Sequence, residues 1–326
     1  MEMVKFQDIQ KPIAQELEAL NELMRSWLAS DNALMEHIVN NFLTRKGKQI
    51  RPMLVLLTGK FFGKVSVEVL RAGAAIELLH NASLIHDDVI DESKERRGQP
   101  TVNRVWDNHV AVLVGDFFVS SALSCAVSVG NMDVINVMAR LSRELSLGEV
   151  SQFNNARNHL ISEANYYDII RHKTASLFRS CVEVGGLAGG ADAEEIARLG
   201  RYVELMGVCF QIKDDIFDYY DDPIIGKPTA NDLREGKMTL PLIYALSQKE
   251  DAEYEQMNAL AMKSDLSAEE IQVLYDYAKR KGGIEYAKEA MKKLRTEANA
   301  LLEGYERTEA LQAFCNMFDY IIEREK

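Results

Sequence analysis

Two groups of aspartates with the same spacing are the residues of this sequence that could most directly do chemistry. They are Asp87, Asp88 and Asp91, and Asp214, Asp215 and Asp218. On a helix, the first and last members of each group lie about one turn apart on one face, with the middle member beside them. Three carboxylates packed together repel one another unless a cation compensates. All-oxygen ligands suit magnesium, which typically takes one or two protein carboxylates together with waters and substrate phosphates.

Both groups are set in apolar sequence, which argues against an ordinary solvated helix face. The apolar neighbours are Leu84, Ile85, Val89 and Ile90 in the first case, and Val208, Phe210, Ile212, Ile216 and Phe217 in the second. A single group would be weak evidence, because acidic helix ends are common. Two groups of identical spacing on separate helices are much stronger evidence. We therefore predict that both groups face one cavity and grip one diphosphate through magnesium.

A di-iron carboxylate centre is the alternative metal site, because Glu77 and His80 form one Glu-x-x-His element. Such a centre requires two of these elements and two further glutamates. A second Glu-x-x-His occurs nowhere in the chain. The sequence therefore favours magnesium.

The elements that must position these aspartates are helices. Apolar residues recur at three- and four-residue spacing along nearly the whole chain, as in the face formed by Ile9, Ile13, Leu17, Leu20 and Met24. Strict alternation over the length of a strand is hard to find, and glycines and prolines fall between the periodic segments. We therefore predict an all-α fold, in which residues 1–326 form a single-domain, large helical bundle around a central cavity.

The composition limits the partners and the location that we expect. The chain has 38 Lys and Arg against 50 Asp and Glu, a formal net charge of −12, which disfavours a general nucleic-acid surface. The four cysteines lie far apart and are predicted to be reduced residues of a cytoplasmic protein. The N-terminal sequence lacks the pattern of a signal peptide, and we expect no stretch of about 18 apolar residues that could span a membrane.

Short basic motifs supply the cations that an anionic substrate needs. Their basic residues are Lys48, Arg51, Arg96, Arg97, Lys173, Lys227 and Lys237. Arg can hold diphosphate oxygens in a bidentate manner, and Lys acts as a mobile point charge. Basic residues that follow both aspartate groups in an acidic chain favour a diphosphate substrate.

At these motifs the sequence closely resembles the trans-type polyprenyl diphosphate synthases, in particular their medium- and long-chain, octaprenyl-like members. The matching segments follow the family's order, from about residue 47 to 246, and are GKQIRP, LLHNASLIHDDVIDESKERRGQPT, HKTASLF, QIKDDIFD and GKPTANDLREGKMTLP. The resemblance implies a helical bundle of the isoprenoid synthase type and transfer of an allylic group to isopentenyl diphosphate with release of pyrophosphate. It also implies a cofactor of about three Mg²⁺ ions per active site.

The resemblance also implies roles for individual residues. Isopentenyl diphosphate would be held by Lys48, Arg51, His80 and Arg97. The allylic diphosphate would be held by the two aspartate groups through magnesium, and directly by Arg96, Lys173, Thr174, Gln211, Lys227 and Lys237. Of these, Arg96, Lys173 and Lys227 would stabilise the charge that develops on the leaving diphosphate. The sequence departs from the family at Gln49 and Ile50, where other members often have Arg or Lys and then Leu, and neither change obviously impairs diphosphate binding.

Several interpretations stay open at this point. Asp116 either lines the site or packs between helices, and the loop from Asp221 to Lys237 is either a lid over the diphosphate or a plain connection. The alternative functions are a shorter-chain synthase, a terpene cyclase and a non-catalytic subunit of a heteromeric synthase. A cyclase usually has only one such aspartate motif, and a non-catalytic subunit should have lost aspartates. The resemblance suggests a homodimer, with transient membrane contact when product is released.

Small residues about one helical turn before Asp87 predict a long product. Ala82 and Ser83 stand where short-chain members of the family often carry an aromatic plug, so a hydrocarbon longer than the farnesyl group has room to grow. We expect Ala82→Phe and Ser83→Phe each to shorten the product and to leave the first condensation largely intact, because the new ring blocks only the tunnel. Chromatography of labelled products measures the length, and unchanged length in both variants would remove these positions from the tunnel.

Overall fold

A computed structural model describes residues 5–44, 47–96, 98–157, 162–220, 231–263 and 265–324 of the chain. Its α-helices are α1 Phe6–Gln10, α2 Ala14–Trp27, α3 Ala33–Leu43, α4 Ile50–Phe61, α5 Val67–Ile90, α6 Val102–Val105, α7 Asn108–Val127, α8 Met132–Arg157, α9 Glu163–Ile170, α10 Ser176–Gly189, α11 Ala193–Phe217, α12 Asn231–Arg234, α13 Leu240–Ser247, α14 Tyr254–Ala261, α15 Ala268–Arg280, α16 Gly283–Leu301 and α17 Glu309–Glu323. A 3₁₀ turn, Lys11–Ile13, precedes α2, and a π-helical turn, Arg171–Ala175, lies between α9 and α10.

The prediction of an all-α fold is confirmed. Within the described ranges, the strands are β1 Glu95–Arg96 and β2 Gln99–Pro100, which form one short antiparallel hairpin. In this hairpin Glu95 pairs with Pro100 and Arg96 with Gln99. The hairpin follows α5 and holds Arg96 close to the first aspartate group.

The chain divides into two compact units. The first contains Met1–Arg143, Leu177–Arg201 and Gly304–Tyr320, and the second contains Glu144–Ser176, Tyr202–Glu303 and Ile321–Lys326. The first aspartate group belongs to the first unit, and the second group belongs to the second unit. A single domain around one cavity stays a prediction of the sequence.

Helix α5 organises the first unit and carries the first aspartate group at its C-terminal end. It packs against α7, α4 and α2. Its central residues Ala72, Gly73, Ala74 and Ala75 are buried, and a Cβ added at Gly73 would lie 2.7 Å from Cδ1 of Leu20. Small side chains therefore let the neighbouring helices approach α5 closely. The first aspartates thus extend from a core helix.

Glycines allow helices within the second unit to pack closely. Helix α13 packs against α15, α16 and α9, and a Cβ added at Gly283, the first residue of α16, would lie 2.2 Å from the carbonyl oxygen of Pro241. On α8, a Cβ added at Gly148 would lie 3.2 Å from the backbone nitrogen of Lys173. Glycine at this position therefore lets α8 approach the π-helical turn that carries Lys173.

Helix α7 corrects one expectation drawn from the sequence. It is long and apolar enough to cross a membrane by length and composition, with 44% of its most apolar window buried, so the expectation that no stretch reaches this level was wrong. It is the one helix of this kind among the described residues, and a core helix of a soluble protein has the same properties. In the first unit α7 packs against α5 and α6.

The cysteines lie as expected of reduced residues. All four are free, and Cys125, Cys181 and Cys209 are buried whereas Cys315 is half-buried. Burial raises the pKa of the Cys125 and Cys209 thiols to about 12. These thiols therefore stay protonated at neutral pH and behave as core residues.

Candidate active site

The first aspartate group lies where α5 ends. Asp87 and Asp88 are in its last turn, and Asp91 is its C-cap, whose N–H donates to the Asp87 carbonyl at 2.8 Å. Asp88 is buried, Asp87 is half-buried and Asp91 is exposed. The group therefore begins in the protein interior and ends at the surface, so that its members have different access to water.

Arg96 supplies a cation to this group. Its Nε donates to Oδ1 of Asp88 at 2.8 Å, and the hairpin is fixed to the end of α5 by the Ser93 N–H, which donates to the Asp88 carbonyl at 2.9 Å. The Asn103 side chain donates to the same carbonyl at 3.1 Å. The sequence placed Arg96 near the first group, and the structure brings the two together. Arg97, its predicted companion, lies outside the described residues.

The residues predicted to hold isopentenyl diphosphate come from segments that help to line a cavity of the first unit. This cavity is lined by Asp88, Arg96, Glu77, Asn81 and, from the loop before α4, Gly47 and Gln49. Lys48 lies between the last two in sequence, and its Nζ is 5.2 Å from the Tyr320 ring centre. Arg51 packs its guanidinium 5.6 Å from the ring centre of Phe178, and His80 is buried on α5. Lys48, Arg51 and His80 are not themselves lining residues of this cavity, so their convergence on one ligand stays a prediction.

Gln49 has a structural role that the sequence did not reveal. It adopts a left-handed backbone conformation, with φ of 51°, directly after Lys48. Its side-chain amide donates to Oδ1 of Asn21 at 2.6 Å, and the Asn21 amide donates back at 3.4 Å. This reciprocal pair fixes the loop to α2 and so restricts where Lys48 can lie.

The second aspartate group ends α11 in a more enclosed setting. Asp215 is only 4% exposed, and its two carboxylate oxygens each accept a hydrogen bond. The Tyr166 hydroxyl donates to Oδ2 at 2.6 Å, and the Gln211 amide donates to Oδ1 at 2.8 Å. Thr174 in turn donates its hydroxyl to Oε1 of Gln211 at 2.9 Å. A chain of hydrogen bonds therefore runs from the π-helical turn to the middle aspartate of the group.

Lys173 also lies on the π-helical turn, a local widening of the helix that occurs frequently at functional sites. Its Nζ is 2.6 Å from Oε2 of Glu149 and 3.3 Å from Oε1 of Gln152. Glu149 follows Gly148, the residue whose small size lets α8 approach this turn. The ammonium group is therefore held in position by a carboxylate on α8.

One cavity in the second unit collects most of the residues predicted to hold the allylic diphosphate. Its lining residues include Lys173, Thr174, Gln211, Asp215, Asp232 and Lys237. Lys237 pairs with Glu235, and its backbone N–H donates to the Asp232 carbonyl at 2.8 Å. Lys227 and the segment 221–230 of the predicted lid lie outside the described residues. The roles of the lining residues stay predictions, but their proximity is a property of the fold.

Four residues at the second group were missed by the sequence reasoning. Tyr166 donates its hydroxyl to Asp215. The backbone N–H of Asp232 donates to Oδ2 of Asp218 at 3.2 Å, and the Tyr275 hydroxyl donates to the same oxygen. Arg324 binds Asp214. Asp232 lies in the motif GKPTANDLREGKMTLP and could have been found there. Tyr166, Tyr275 and Arg324 have no comparable local signal.

Three other residues singled out from the sequence lie in the first unit. Ala82 is buried, and Ser83 donates its hydroxyl to the His80 carbonyl at 2.9 Å. The Oδ1 of Asp116 lies 3.4 Å from Nε2 of His86, and the Asp116 side chain is 64% exposed.

The electrostatics of the second group are dominated by the desolvation of two carboxyls, those of Asp215 and Asp232. Burial raises the pKa of Asp215 to about 7, the charges of Asp214 and Asp218 add to the shift, and the hydrogen bonds from Tyr166 and Gln211 oppose it. Burial, followed by the charges of Asp215 and Asp218, raises the pKa of Asp232 well above its usual range. Ionised carboxylates in such a setting favour the binding of a cation.

The donors available fit a hard divalent cation that keeps other ligands. Among the described residues, no three His, Cys, Asp or Glu side chains converge closely enough to enclose an ion by themselves. Magnesium typically takes only one or two carboxylates and completes its octahedron with water and substrate phosphate. A site made of separate carboxylates beside a lysine-lined cavity therefore suits a metal that keeps water ligands, which an anionic substrate can later replace.

Comparisons with known proteins agree on one family. The family model described as polyprenyl synthetase matches residues 32–278. The octaprenyl diphosphate synthase of Escherichia coli K12 is 31% identical over 324 residues, 99% of this chain and 100% of that one. The heptaprenyl diphosphate synthase component 2 of Geobacillus stearothermophilus is 31% identical over 315 residues, 96% of this chain and 97% of that one. The crystal structure of a polyprenyl synthase from Caulobacter crescentus CB15, complexed with calcium and isoprenyl diphosphate, superposes with a TM-score of 0.92 at 27% identity and covers 100% of both chains.

Replacing Tyr166 by Phe removes one hydroxyl from Asp215 and keeps the ring. Because the hydrogen bond favours the ionised carboxylate, its loss raises the pKa of Asp215 further above 7. Below that pKa the carboxyl is neutral and does not bind a cation, so Mg²⁺ affinity falls in both proteins as pH is lowered through this range. We expect the variant to bind Mg²⁺ about tenfold more weakly near neutral pH, the size of one hydrogen bond to a charged group.

Isothermal titration with Mg²⁺ across a pH series measures this effect. The matched control is Tyr167→Phe. The ring centre of Tyr167 is 5.4 Å from that of Tyr166, and this variant removes a neighbouring hydroxyl while it leaves both hydrogen bonds to Asp215. Identical affinity and pH dependence in Tyr166→Phe and the wild-type protein would contradict the assignment of Tyr166 to the metal site.

Proposed function

This chain belongs to the polyprenyl synthetase family, and we propose that this prenyltransferase condenses an allylic diphosphate, such as farnesyl diphosphate, with isopentenyl diphosphate. The product is a medium- or long-chain all-trans polyprenyl diphosphate, and pyrophosphate is released. The observation that carries the proposal is the cavity that Lys173, Thr174, Gln211 and Lys237 line together with the buried Asp215. Cationic and neutral donors beside crowded carboxylates suit a diphosphate that binds together with a metal.

The reaction needs no nucleophilic side chain. The allylic C–O bond breaks, and its electron pair leaves with pyrophosphate. The double bond of isopentenyl diphosphate then attacks the allylic cation, a carbon–carbon bond forms, and one proton leaves to the departing pyrophosphate. The protein's task is to hold both diphosphates, to stabilise the charge that develops on the leaving group, and to exclude water.

The described residues divide these tasks between them. Lys173 and Lys237 would bind oxygens of the leaving diphosphate, and Thr174 and Gln211 would orient it while fixing Asp215. In the first unit, Lys48, Arg51 and His80 would bind isopentenyl diphosphate, and Arg96 would hold Asp88 beside the allylic diphosphate. Arg97 and Lys227 are assigned to the same tasks by sequence alone.

A divalent metal is the cofactor that the family uses, and we infer that it is Mg²⁺, with about three ions per site. The six aspartates would hold it, and when bound it would neutralise charge on the leaving diphosphate. The calcium in the Caulobacter relative supports a hard cation with oxygen ligands. All six aspartates are present here, which disfavours a non-catalytic subunit.

The proposals for product length and cellular location rest on the relatives and on the sequence. Two of the three relatives described above are named octaprenyl and heptaprenyl diphosphate synthases, and Ala82 and Ser83 are small. Both observations support a product longer than the farnesyl group. Cytoplasmic location, with transient membrane contact at product release, stays a prediction.

The product assay tests the reaction and the chain length together. Purified enzyme is incubated with farnesyl diphosphate, labelled isopentenyl diphosphate and Mg²⁺, and we expect products longer than geranylgeranyl diphosphate. Asp87→Asn and Asp214→Asn should each lower the rate by about a hundredfold, because a metal ligand is lost. Asp276→Asn, on the exposed side of α15, is the control for loss of one charge.

Three outcomes of this assay count against the proposal. Products that stop at farnesyl or geranylgeranyl diphosphate would contradict the medium- or long-chain assignment. Absence of isopentenyl incorporation, or activity that survives complete chelation of metal, would contradict the reaction itself.

We further infer that the chain forms a homodimer through α7. One face of this helix exposes Val112, Leu113, Leu123 and Val127, with exposures of 41%, 64%, 42% and 60%. These residues recur at helical spacing, and Ser120 and Ser124 between them are small enough to let a second helix approach. A twofold axis across such a stripe would bury the same face of both copies. A heteromeric partner, as the word component in the name of the Geobacillus relative suggests for that protein, is the alternative.

Leu113→Asp is expected to convert the dimer into monomers, because the new carboxylate lies one turn from the exposed Asp116 and would place like charges in the contact. Sedimentation velocity measures the change. Val273→Asp is the matched control, since Val273 is 44% exposed on a different helix, α15. A monomeric wild-type protein, or a Leu113→Asp variant that stays dimeric, would show that α7 does not mediate self-association.

A further inference from the structure

Arg324, which follows α17, is a buried charge that the reaction described so far does not use. Its side chain is only 7% exposed. A buried guanidinium is costly unless it is paired and hydrogen-bonded. Its partners should therefore identify what it does.

Among the described residues, the partners of Arg324 lie on one face of α11. Its Nη2 donates to Oδ1 of Asp214 at 2.6 Å and to the carbonyl oxygen of Phe210 at 3.1 Å. Its guanidinium carbon is 4.3 Å from the ring centre of Phe210 and 5.3 Å from that of Phe217. Positions 210, 214 and 217 recur at helical spacing, so Arg324 covers two turns of the helix with Asp214 at the centre.

This arrangement fixes the guanidinium more firmly than an ordinary surface ion pair would. The two rings restrict it from the sides, and the carbonyl of Phe210 provides a second acceptor that does not move with the Asp214 side chain. Exposed ion pairs contribute little because both side chains are free to separate. Here the cation is anchored to the helix itself, so the carboxylate of Asp214 is held against a fixed point.

Asp214 nevertheless remains accessible. Its side chain is 41% exposed, whereas Asp215 beside it is 4% exposed. An anchored carboxylate that solvent still reaches can bind a cation without first losing rotational freedom. Groups that orient metal ligands in this way commonly contribute about 10- to 100-fold to metal affinity.

We propose that Arg324 is a positioning residue for the metal site, which holds the Asp214 carboxylate in the orientation that binds the divalent cation. The proposal rests on the proposed function, because it takes Asp214 to be a metal ligand. It adds a residue from outside the segments 47–246 that carry the family motifs. The proposal predicts the direction in which metal affinity changes. Removal of a positioning arginine weakens metal binding, whereas removal of an arginine that merely competed with the metal would strengthen it.

Titration with Mn²⁺ alone tests this direction. The electron paramagnetic resonance signal of free Mn²⁺ disappears when the ion binds, so the loss of signal measures binding. Arg324→Met fills the space between the two phenylalanine rings with an unbranched apolar chain, and Arg324→Gln retains a polar end. Both are expected to bind Mn²⁺ about tenfold more weakly than the wild-type protein. Arg324→Lys, which keeps one charged donor but loses the planar group that stacks on the two rings, should recover only part of the affinity.

The control variant is Arg280→Gln. Arg280 lies on α15 in the same unit, and its Nη2 is 2.8 Å from Oε2 of Glu253, with about half of its side chain exposed. Loss of this surface pair should leave Mn²⁺ affinity unchanged. Circular dichroism of each variant shows that the helices are retained, and Arg324→Lys keeps the comparison available if removal of the charge prevents folding.

Kinetics distinguish positioning from a purely structural role. In Arg324→Met, the concentration of Mg²⁺ that gives half-maximal activity should rise about tenfold, and the rate should recover at saturating Mg²⁺ with the KM for isopentenyl diphosphate unchanged. A rate that stays low at saturating Mg²⁺ would overturn the proposal. So would unchanged or tighter Mn²⁺ binding in both the Met and Gln variants.

The two proposals can fail separately. Mn²⁺ binding is measured without either prenyl substrate, so it reports on Arg324 and Asp214 whatever the enzyme makes. Failure of the product assay in the wild-type protein would overturn the function and leave the Mn²⁺ result standing. A functional wild-type enzyme whose Arg324 variants bind Mn²⁺ normally would overturn only the role of Arg324.

Discussion

Three carboxylates lie side by side at the end of α11, and several groups of the second unit hold the most buried of them. Asp215 is nearly enclosed, and burial together with the neighbouring charges raises its pKa. The groups that bind it, Tyr166 and Gln211, are neutral. They stabilise the ionised form by hydrogen bonding but do not neutralise it. A cation bound beside Asp215 would therefore compensate a charge that these two groups leave in place.

The positive groups of this site are held in place before a substrate arrives. Lys173 is paired with Glu149 across a contact that Gly148 allows, and Lys237 is fixed through its backbone to Asp232. Lys237 also pairs with Glu235, so each lysine has a carboxylate partner that a diphosphate could replace. Because the cations do not have to be gathered from solvent, binding of the anion costs less conformational entropy.

The two aspartate groups have the same spacing but different surroundings. In the first unit, the middle member Asp88 is bound by Arg96 from the hairpin. In the second unit, the middle member Asp215 has neutral partners, and Arg324 binds the first member Asp214 instead. Identical motifs are thus compensated at different positions. The difference gives each group its own distribution of charge, although the spacing of the aspartates is the same.

The sequence by itself determined the class of fold and the family, because both are encoded locally. Apolar residues at helical spacing specify helices wherever they occur, and the order of the motifs from GKQIRP to GKPTANDLREGKMTLP identifies the family without knowledge of any contact. It also located Arg96, Lys173, Thr174, Gln211 and Lys237 near the aspartates. The apolar content of α7 was equally local, and it was underestimated.

Only the tertiary structure decided which groups compensate the buried carboxylates. Arg324 is 110 residues from Asp214, and Tyr166 is 49 residues from Asp215. The π-helical turn at Lys173 likewise depends on backbone hydrogen bonds that leave no mark in composition. Helical periodicity is set by side chains within a few turns of one another. The partner of a buried charge is set by which distant segments pack around it, and that information exists only once the chain has folded.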